Sequence, residues 1–317
     1  MTKFGISRRA VLAGSALGAS AGLIPGVAQA FQRGQGLQSL GTSVSIADSE
    51  ALEIFSNEVG DRFSVSVWRD VQFSKLTGTY DPNQTHDVVY ALDGKWMLPI
   101  AAQVALSELI DPASQGFPRL LIVGIDYIEG TPNARLRDYM PANAIPEQYR
   151  LIPQTTPETT PGGAAQFLKF LENELDPLIR AKYKTTDKPA ALLGDSAGGA
   201  FGAYAFTQQT ELFDRYWLGS PGIYKTQEDY LGQFAATLEK ELVHDTRIFI
   251  SLGELEMHSP IESFRALGRS YADMVGSLRS TSNSALSWED KIYPDKTHLS
   301  VVLPALQDAM LYLFSKT

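Results

Sequence analysis

The 317-residue chain contains no cysteine. That excludes a disulfide framework, a thiolate metal site and a cysteine nucleophile. Histidine is scarce: His86, His244, His258 and His298 are the whole set, and they are too scattered for a multi-histidine zinc site. Neither a metal nor a cofactor is expected. Positive charge is also in deficit, with 27 Lys+Arg against 36 Asp+Glu and a formal net charge of -9. Nucleic acid is therefore not an expected partner, because phosphate contacts need a basic face. Electrostatic attraction to an anionic membrane is not expected either. Long hydrophobic runs are missing too, since no segment reaches the ~20 strongly apolar residues of a membrane span. What is present is ordinary for a globular protein, 44% hydrophobic and 20% charged residues, enough for one sizeable core.

The first thirty residues have a composition of their own. Arg8-Arg9 precedes a small and apolar run from Ala10 to about Val27, and Ala28-Gln29-Ala30 places small residues where a signal peptidase reads. This pattern resembles a twin-arginine (Tat) signal cleaved before Phe31. Residues 1–30 are thus expected to be a Tat signal peptide, with the Tat machinery and signal peptidase as partners and the periplasm or exterior as destination. The run is rich in Gly and Ala and is broken by Pro25, which argues against a retained anchor. Cleavage would remove Lys3, Arg8 and Arg9 and no acidic residue, taking the mature chain to about -12.

Residues 31–317 read as a single catalytic domain with no internal repeat and no dividing linker. Residues 31–45 form a polar, Gly-rich lead-in. Arg62 to Trp68 alternates apolar and polar, the pattern of a half-buried strand. Asp87–Leu92 and Arg119–Ile125 are nearly continuous apolar runs, as in parallel strands buried on both faces. Further strands are expected at 189–193, 216–218, 247–252 and 286–293. Helices are expected at 97–109, 164–179, 197–208, 261–278 and 299–314. The segment from 129 to 160 is rich in Pro, Asn and Thr, without clear periodicity, and reads as a functional loop or small insertion. Alternating strands and helices give an α/β fold with a mostly parallel, doubly wound sheet and helices on both faces.

Gly194-Asp195-Ser196-Ala197-Gly198-Gly199 lies between a buried strand and a helix of small residues. A strand-to-helix turn this sharp strains the serine backbone and exposes its hydroxyl above the sheet edge. Gly194 and Gly198 are expected to prevent collisions there. Ser196 is the candidate nucleophile, and the N–H of Ala197, at the helix start, a candidate oxyanion donor. A serine nucleophile needs a base. In this arrangement the chain order is serine, acid, histidine, with the histidine after the last strand. His298 meets that requirement; His86 and His244 precede strands, and His258 has no acid after it in the required order. The acid should follow the strand at 247–252, where Glu254 and Glu256 both occur, with Glu256 favoured and Glu254 the alternative. The second oxyanion donor is expected after Leu92, where Gly94 lets the chain turn and aims the N–H of Lys95 or Trp96. The Lys95 and Trp96 side chains would border the pocket.

Together these segments resemble the putative-esterase (esterase D-like) family of α/β-hydrolases. Leu92-Asp93-Gly94, Arg135-Leu136-Arg137-Asp138-Tyr139-Met140-Pro141, the elbow and helix from Leu193 to Tyr204, and Phe213-Asp214-Arg215-Tyr216 with Ser220-Pro221 carry the resemblance. It spans about residues 50–315. Two positions depart from the family pattern: Asp195 stands where a histidine is usual, and Gly222 where a second serine often follows Ser220-Pro221. The resemblance implies an α/β-hydrolase fold and hydrolysis of a small-molecule or glycan-linked ester, such as a siderophore lactone, a feruloyl or acetyl group, or a simple acyl ester. Its mechanism would be a Ser-His-Glu triad with an acyl-enzyme. It also implies one alternative, an acyltransferase using the same acyl-enzyme; the alternative from another class is a non-catalytic binding protein on this fold. Arg137 and Asp138 would form a pair near the site, with Arg137 a candidate substrate contact.

Overall fold

The computed structural model describes residues 46–317 apart from 112, 113, 115, 129–133, 145–160, 225–227, 316 and 317. The expected signal peptide, the lead-in and most of the Pro-rich segment lie outside the described residues.

The apolar runs become the strands of one eight-stranded sheet, ordered β1-β2-β4-β3-β5-β6-β7-β8. β1 (Ser49–Ser56) and β2 (Asp61–Trp68) form an antiparallel hairpin, and β2 also pairs antiparallel with β4 (Leu120–Tyr127). From β4 onward every pairing is parallel, through β3 (Asp87–Leu92), β5 (Ala190–Asp195), β6 (Phe213–Gly219), β7 (Thr246–Gly253) and β8 (Leu286–Tyr293). The central strands β3 and β5 are buried at every position because alternate side chains feed two cores. Val88, Tyr90 and Leu92 of β3 join one core, while Val89 and Ala91 join the other. β5 divides the same way, with Leu192 on one side and Leu193 on the opposite side.

The second core is covered by α1 (Gly94–Ile110) and the last helix, α8 (Val302–Phe314). The first is covered by α2 (Ala134–Tyr139), α3 (Ala164–Phe170), α4 (Asp176–Lys182), α5 (Ala197–Thr207), α6 (Tyr230–Leu238) and α7 (Glu262–Ser280). A single π turn (Leu171–Leu175) joins α3 to α4. This strand order with helices on both faces is the α/β-hydrolase fold. Among the described residues no helix is long and apolar enough to cross a membrane.

β1, the short helix at Val71–Thr77, α2 and α6 were not anticipated from sequence. β1 is an edge strand with half of its residues exposed, so it lacks the apolar signature of its neighbours. α2 lies inside the segment read as a loop, and its six residues are too few to show a helical period.

Candidate active site

The parallel strands end along one edge of the sheet, where β5 turns abruptly into α5. Ser196 occupies the turn with φ 60°, a left-handed conformation that a serine adopts only under constraint. Several contacts impose it. The Ser196 N–H donates to the Gly219 carbonyl at 2.8 Å, and the Ser196 carbonyl accepts from the Ala200 and Gly222 N–H groups. Two backbone approaches also admit no side chain. A Cβ on Gly194 would lie 2.3 Å from the Gly198 carbonyl oxygen, and one on Gly199 would lie 2.4 Å from that of Gly219. The second approach corrects the sequence expectation. At Gly198 a Cβ would meet only side chains, Leu92 at 3.4 Å and Asp93 at 3.8 Å, so Gly194 and Gly199 are the positions the elbow requires.

His298 arrives from the loop between β8 and α8. Its Nε2 lies 3.0 Å from Ser196 Oγ, and its Nδ1 lies 2.8 Å from Glu256 Oε2. Glu256 sits in a 3-10 turn (Glu254–Glu256) directly after β7 and is 1% exposed. Its other oxygen, Oε1, accepts from the Gly253 N–H at 2.8 Å and the Ser220 hydroxyl at 2.7 Å. The carboxylate therefore has no freedom to rotate away from the imidazole. The Phe264 ring packs against that of His298 with centroids 4.5 Å apart. Burial alone would depress the imidazole, but the hydrogen bond with Glu256 and the negative charge of Asp195 outweigh it. His298 therefore titrates above the ordinary histidine value of 6.5.

Of the two acidic candidates, the structure brings Glu256 to His298. Glu254 faces the other side of the turn, where its Oε2 accepts from the Asp295 N–H at 3.0 Å and pins the loop that carries His298.

A cleft of ≈ 360 Å³ opens beside Ser196 and His298, lined by Lys95, Trp96 and Met97 of α1, by Asp93, Asp126, Arg135 and Asp195, and by Leu299 and Val302. Trp96 and Leu299 border it with most of their surface exposed. The Ala197 N–H begins α5, in the first turn, where a helix leaves its N–H groups without intrahelical partners.

The Lys95 N–H does not stand as expected. It donates to Asp126 Oδ2 at 2.8 Å, because Asp126 at the end of β4 is brought beside the start of α1 and supplies the acceptor that a first-turn N–H lacks. Arg137 pairs with Asp138 as expected but does not reach the cleft as a substrate contact would. Its Nε and Nη2 bond both carboxylate oxygens of Asp138 at 2.6 and 2.8 Å, and Nη1 bonds Asp61 at 2.9 Å. Its neighbour Arg135 is the one at the site, clamped bidentate on Asp93 at 2.6 and 2.8 Å. Sequence reasoning missed Arg135, Asp126, Phe264 and Ser220 as site neighbours. Arg135 and Ser220 fall in segments that carry the family resemblance, while Asp126 and Phe264 gave no signal. Among the described residues no group of three or more His, Asp or Glu side chains is placed to hold a metal ion.

Asp138 is nearly fully buried, so Arg137→Ala leaves a carboxylate in the interior without its partner. We expect a loss of about 3 kcal/mol of stability, read as a lower urea midpoint, with KM for an ester changed less than about twofold. A large rise in KM at unchanged stability would return Arg137 to the substrate site.

The model of the putative esterase family matches residues 69–302, most of the chain and all of the elements that build this site. The chain belongs to the putative esterase family. It is 28% identical over 193 residues to the ferri-bacillibactin esterase BesA of Bacillus subtilis, covering 59% of this chain and 65% of that relative, slightly under two thirds of its length. It is 26% identical over 231 residues to the siderophore triacetylfusarinine C esterase of Aspergillus fumigatus, covering 69% of this chain and 72% of the relative. Among solved structures it resembles the BES protein from Bacillus cereus, with a TM-score of 0.72 at 21% identity over 87% of this chain and 99% of that one. At that identity the last likeness speaks for the fold.

Proposed function

We propose that this esterase is exported through the Tat pathway and hydrolyses an ester bond of a siderophore by a Ser196-His298-Glu256 triad. The observation that carries the mechanism is the unbroken hydrogen-bonded chain from Ser196 Oγ through the imidazole to the buried Glu256 carboxylate. Support for the substrate comes from the two relatives, both of which act on siderophores by name. Support for export comes from Arg8-Arg9, the small apolar run after it and Ala28-Gln29-Ala30.

In the first half-reaction, His298 Nε2 takes the Ser196 proton while Oγ attacks the ester carbonyl. Glu256 holds the proton on Nδ1, which keeps Nε2 free to act as the base and stabilises the imidazolium. The Ala197 N–H at the start of α5 is aligned with the helix dipole and stabilises the oxyanion. His298 then protonates the leaving alcohol. In the second half-reaction the same imidazole activates water, and Ser196 is released. Trp96 and Leu299 at the cleft rim offer apolar support to the body of the substrate.

The pH dependence follows from His298. The base form must be neutral, and its folded value is raised above 6.5. Activity is therefore lost as pH falls through that raised value, so the acid limb of kcat/KM should have its midpoint above pH 6.5. A midpoint well below that, measured between about pH 5 and pH 9, would remove His298 as the base.

The substrate is tested by comparing hydrolysis of a catecholate trilactone, a hydroxamate-ester siderophore and p-nitrophenyl acyl esters, with products resolved by mass. The siderophore reading expects kcat/KM for at least one siderophore ester to exceed the best p-nitrophenyl ester by about tenfold or more. Efficient turnover of simple esters alone would contradict it.

A further inference from the structure

Asp195, immediately before Ser196, is the last residue of β5 and pairs in register with Gly219 of β6. It is a buried carboxyl, 6% exposed, and its Oδ1 has no hydrogen-bond partner. Such a group in a folded core requires an explanation. The neighbouring chain makes room for it: a Cβ on Gly219 would lie 2.6 Å from that same oxygen.

Asp93 from the cap of α1, Arg135 from α2 and His298 from the loop before α8 line the same cleft as Asp195, and Glu256 in the 3-10 turn after β7 stands behind His298; the charges of all four act on it. Asp93 and Glu256 are acidic and oppose its ionisation. The Arg135 guanidinium is committed to both oxygens of Asp93, and its remaining contact goes to the Asp195 backbone carbonyl at 3.2 Å, not to the carboxyl. His298, which becomes a cation only as the reaction proceeds, lines the same cleft as the Asp195 carboxyl while Glu256 holds its Nδ1.

We propose that Asp195 is a positioning residue for His298, a second buried carboxylate that acts from the β5 side to stabilise the imidazolium formed as Ser196 gives up its proton. This rests on the reading of Ser196 and His298 under Proposed function. Glu256 fixes the ring and its tautomer through a direct hydrogen bond. Asp195 acts through space in a low-dielectric setting, where charge is weakly screened. Burial pushes its own carboxyl up to about 7, with His298 opposing and Glu256 adding to the rise, so its charge is present on the alkaline side of that value and absent in acid.

The test is Asp195→Asn, which keeps the shape and removes the charge. Without Asp195 the imidazolium is less favoured. The acid limb of kcat/KM should therefore move down by about half a pH unit or more, and the plateau should fall roughly 3–10-fold. The variant should lose least, or even lead, near the acid limb and lose most on the alkaline plateau. A merely structural defect would lower activity at every pH without moving the limb. The ring titration of His298, followed by NMR against His86, His244 and His258, should move down by the same amount and needs no turnover. Asp195→Ser, neutral and smaller, is read in the same way should the asparagine variant fail to accumulate. An unmoved limb and an unmoved His298 titration would overturn the inference. If Ser196→Ala still hydrolysed ester at the wild-type rate, the reading of the site would fall first. If Ser196→Ala were inactive and Asp195→Asn left His298 unchanged, this inference alone would fall.

Discussion

Glu256→Gln is expected to lower kcat by about 10³-fold or more, while Glu254→Gln stays within about threefold of wild type. The way Glu256 is held makes the difference. Its Oε1 already takes two donors, the Gly253 N–H and the Ser220 hydroxyl. In the glutamine variant the amide oxygen must remain there, because the amide nitrogen cannot accept. The NH₂ group is then turned toward His298 Nδ1, which has to accept. That moves the imidazole proton to Nε2, where it faces Ser196 and cannot take a second proton. The loss is one of tautomer rather than of packing, so the folded midpoint should change little by comparison. Glu254 holds only the Asp295 N–H at the surface side of the turn, and an amide oxygen can replace its carboxylate there. An equal or reversed pair of losses would reassign the acid.

Gly194→Ala is expected to disable the protein by a different route. The new methyl would lie 2.3 Å from the Gly198 carbonyl oxygen and 2.5 Å from its carbon, backbone atoms on the far side of the elbow that no rotamer change can move. The strand and helix must separate, and the contacts that hold Ser196 in its left-handed conformation open with them. We expect about 3 kcal/mol of destabilisation. The serine would also react about 10²-fold more slowly with an acylating probe, because its hydroxyl no longer sits against His298. Gly198→Ala is the control. Its methyl meets the Leu92 side chain at ordinary contact distance, and the variant should keep most of its stability and reactivity. Equal behaviour of the two would mean that the elbow is not as tight as its backbone distances indicate.

The parts of this molecule legible in its sequence are those where one residue type answers one local demand. Val88–Leu92 of β3 and Ala190–Leu193 of β5 are apolar runs because two cores draw on them. The Gly194–Gly199 stretch announces a strand-to-helix turn, and His298 stands alone after the last strand. What escaped was set by neighbours in space. β4 lies beside β3, and this crossover puts Asp126 at the Lys95 N–H, a contact that spacing does not encode. Glu254 and Glu256 are two residues apart in a single turn, so they point in different directions, and only the path of that turn decides which meets the imidazole. Arg135 and Arg137 are likewise two apart on α2. The one that reads as the substrate contact is tied down by Asp61 and Asp138, and the other faces the cleft. Asp195 read as a spelling variant of the nucleophile motif; its buried, unpartnered oxygen gives that spelling a physical consequence.

The central claim is that Ser196 is the atom-bearing nucleophile of an ester hydrolase. It is tested most directly by reaction with a fluorophosphonate, followed by intact-mass measurement and peptide mapping. The account predicts a single adduct on Ser196, formed at a rate that falls with protonation of His298, and the loss of both the adduct and ester hydrolysis in Ser196→Ala. An adduct on another residue, or hydrolysis undiminished in Ser196→Ala, would contradict it.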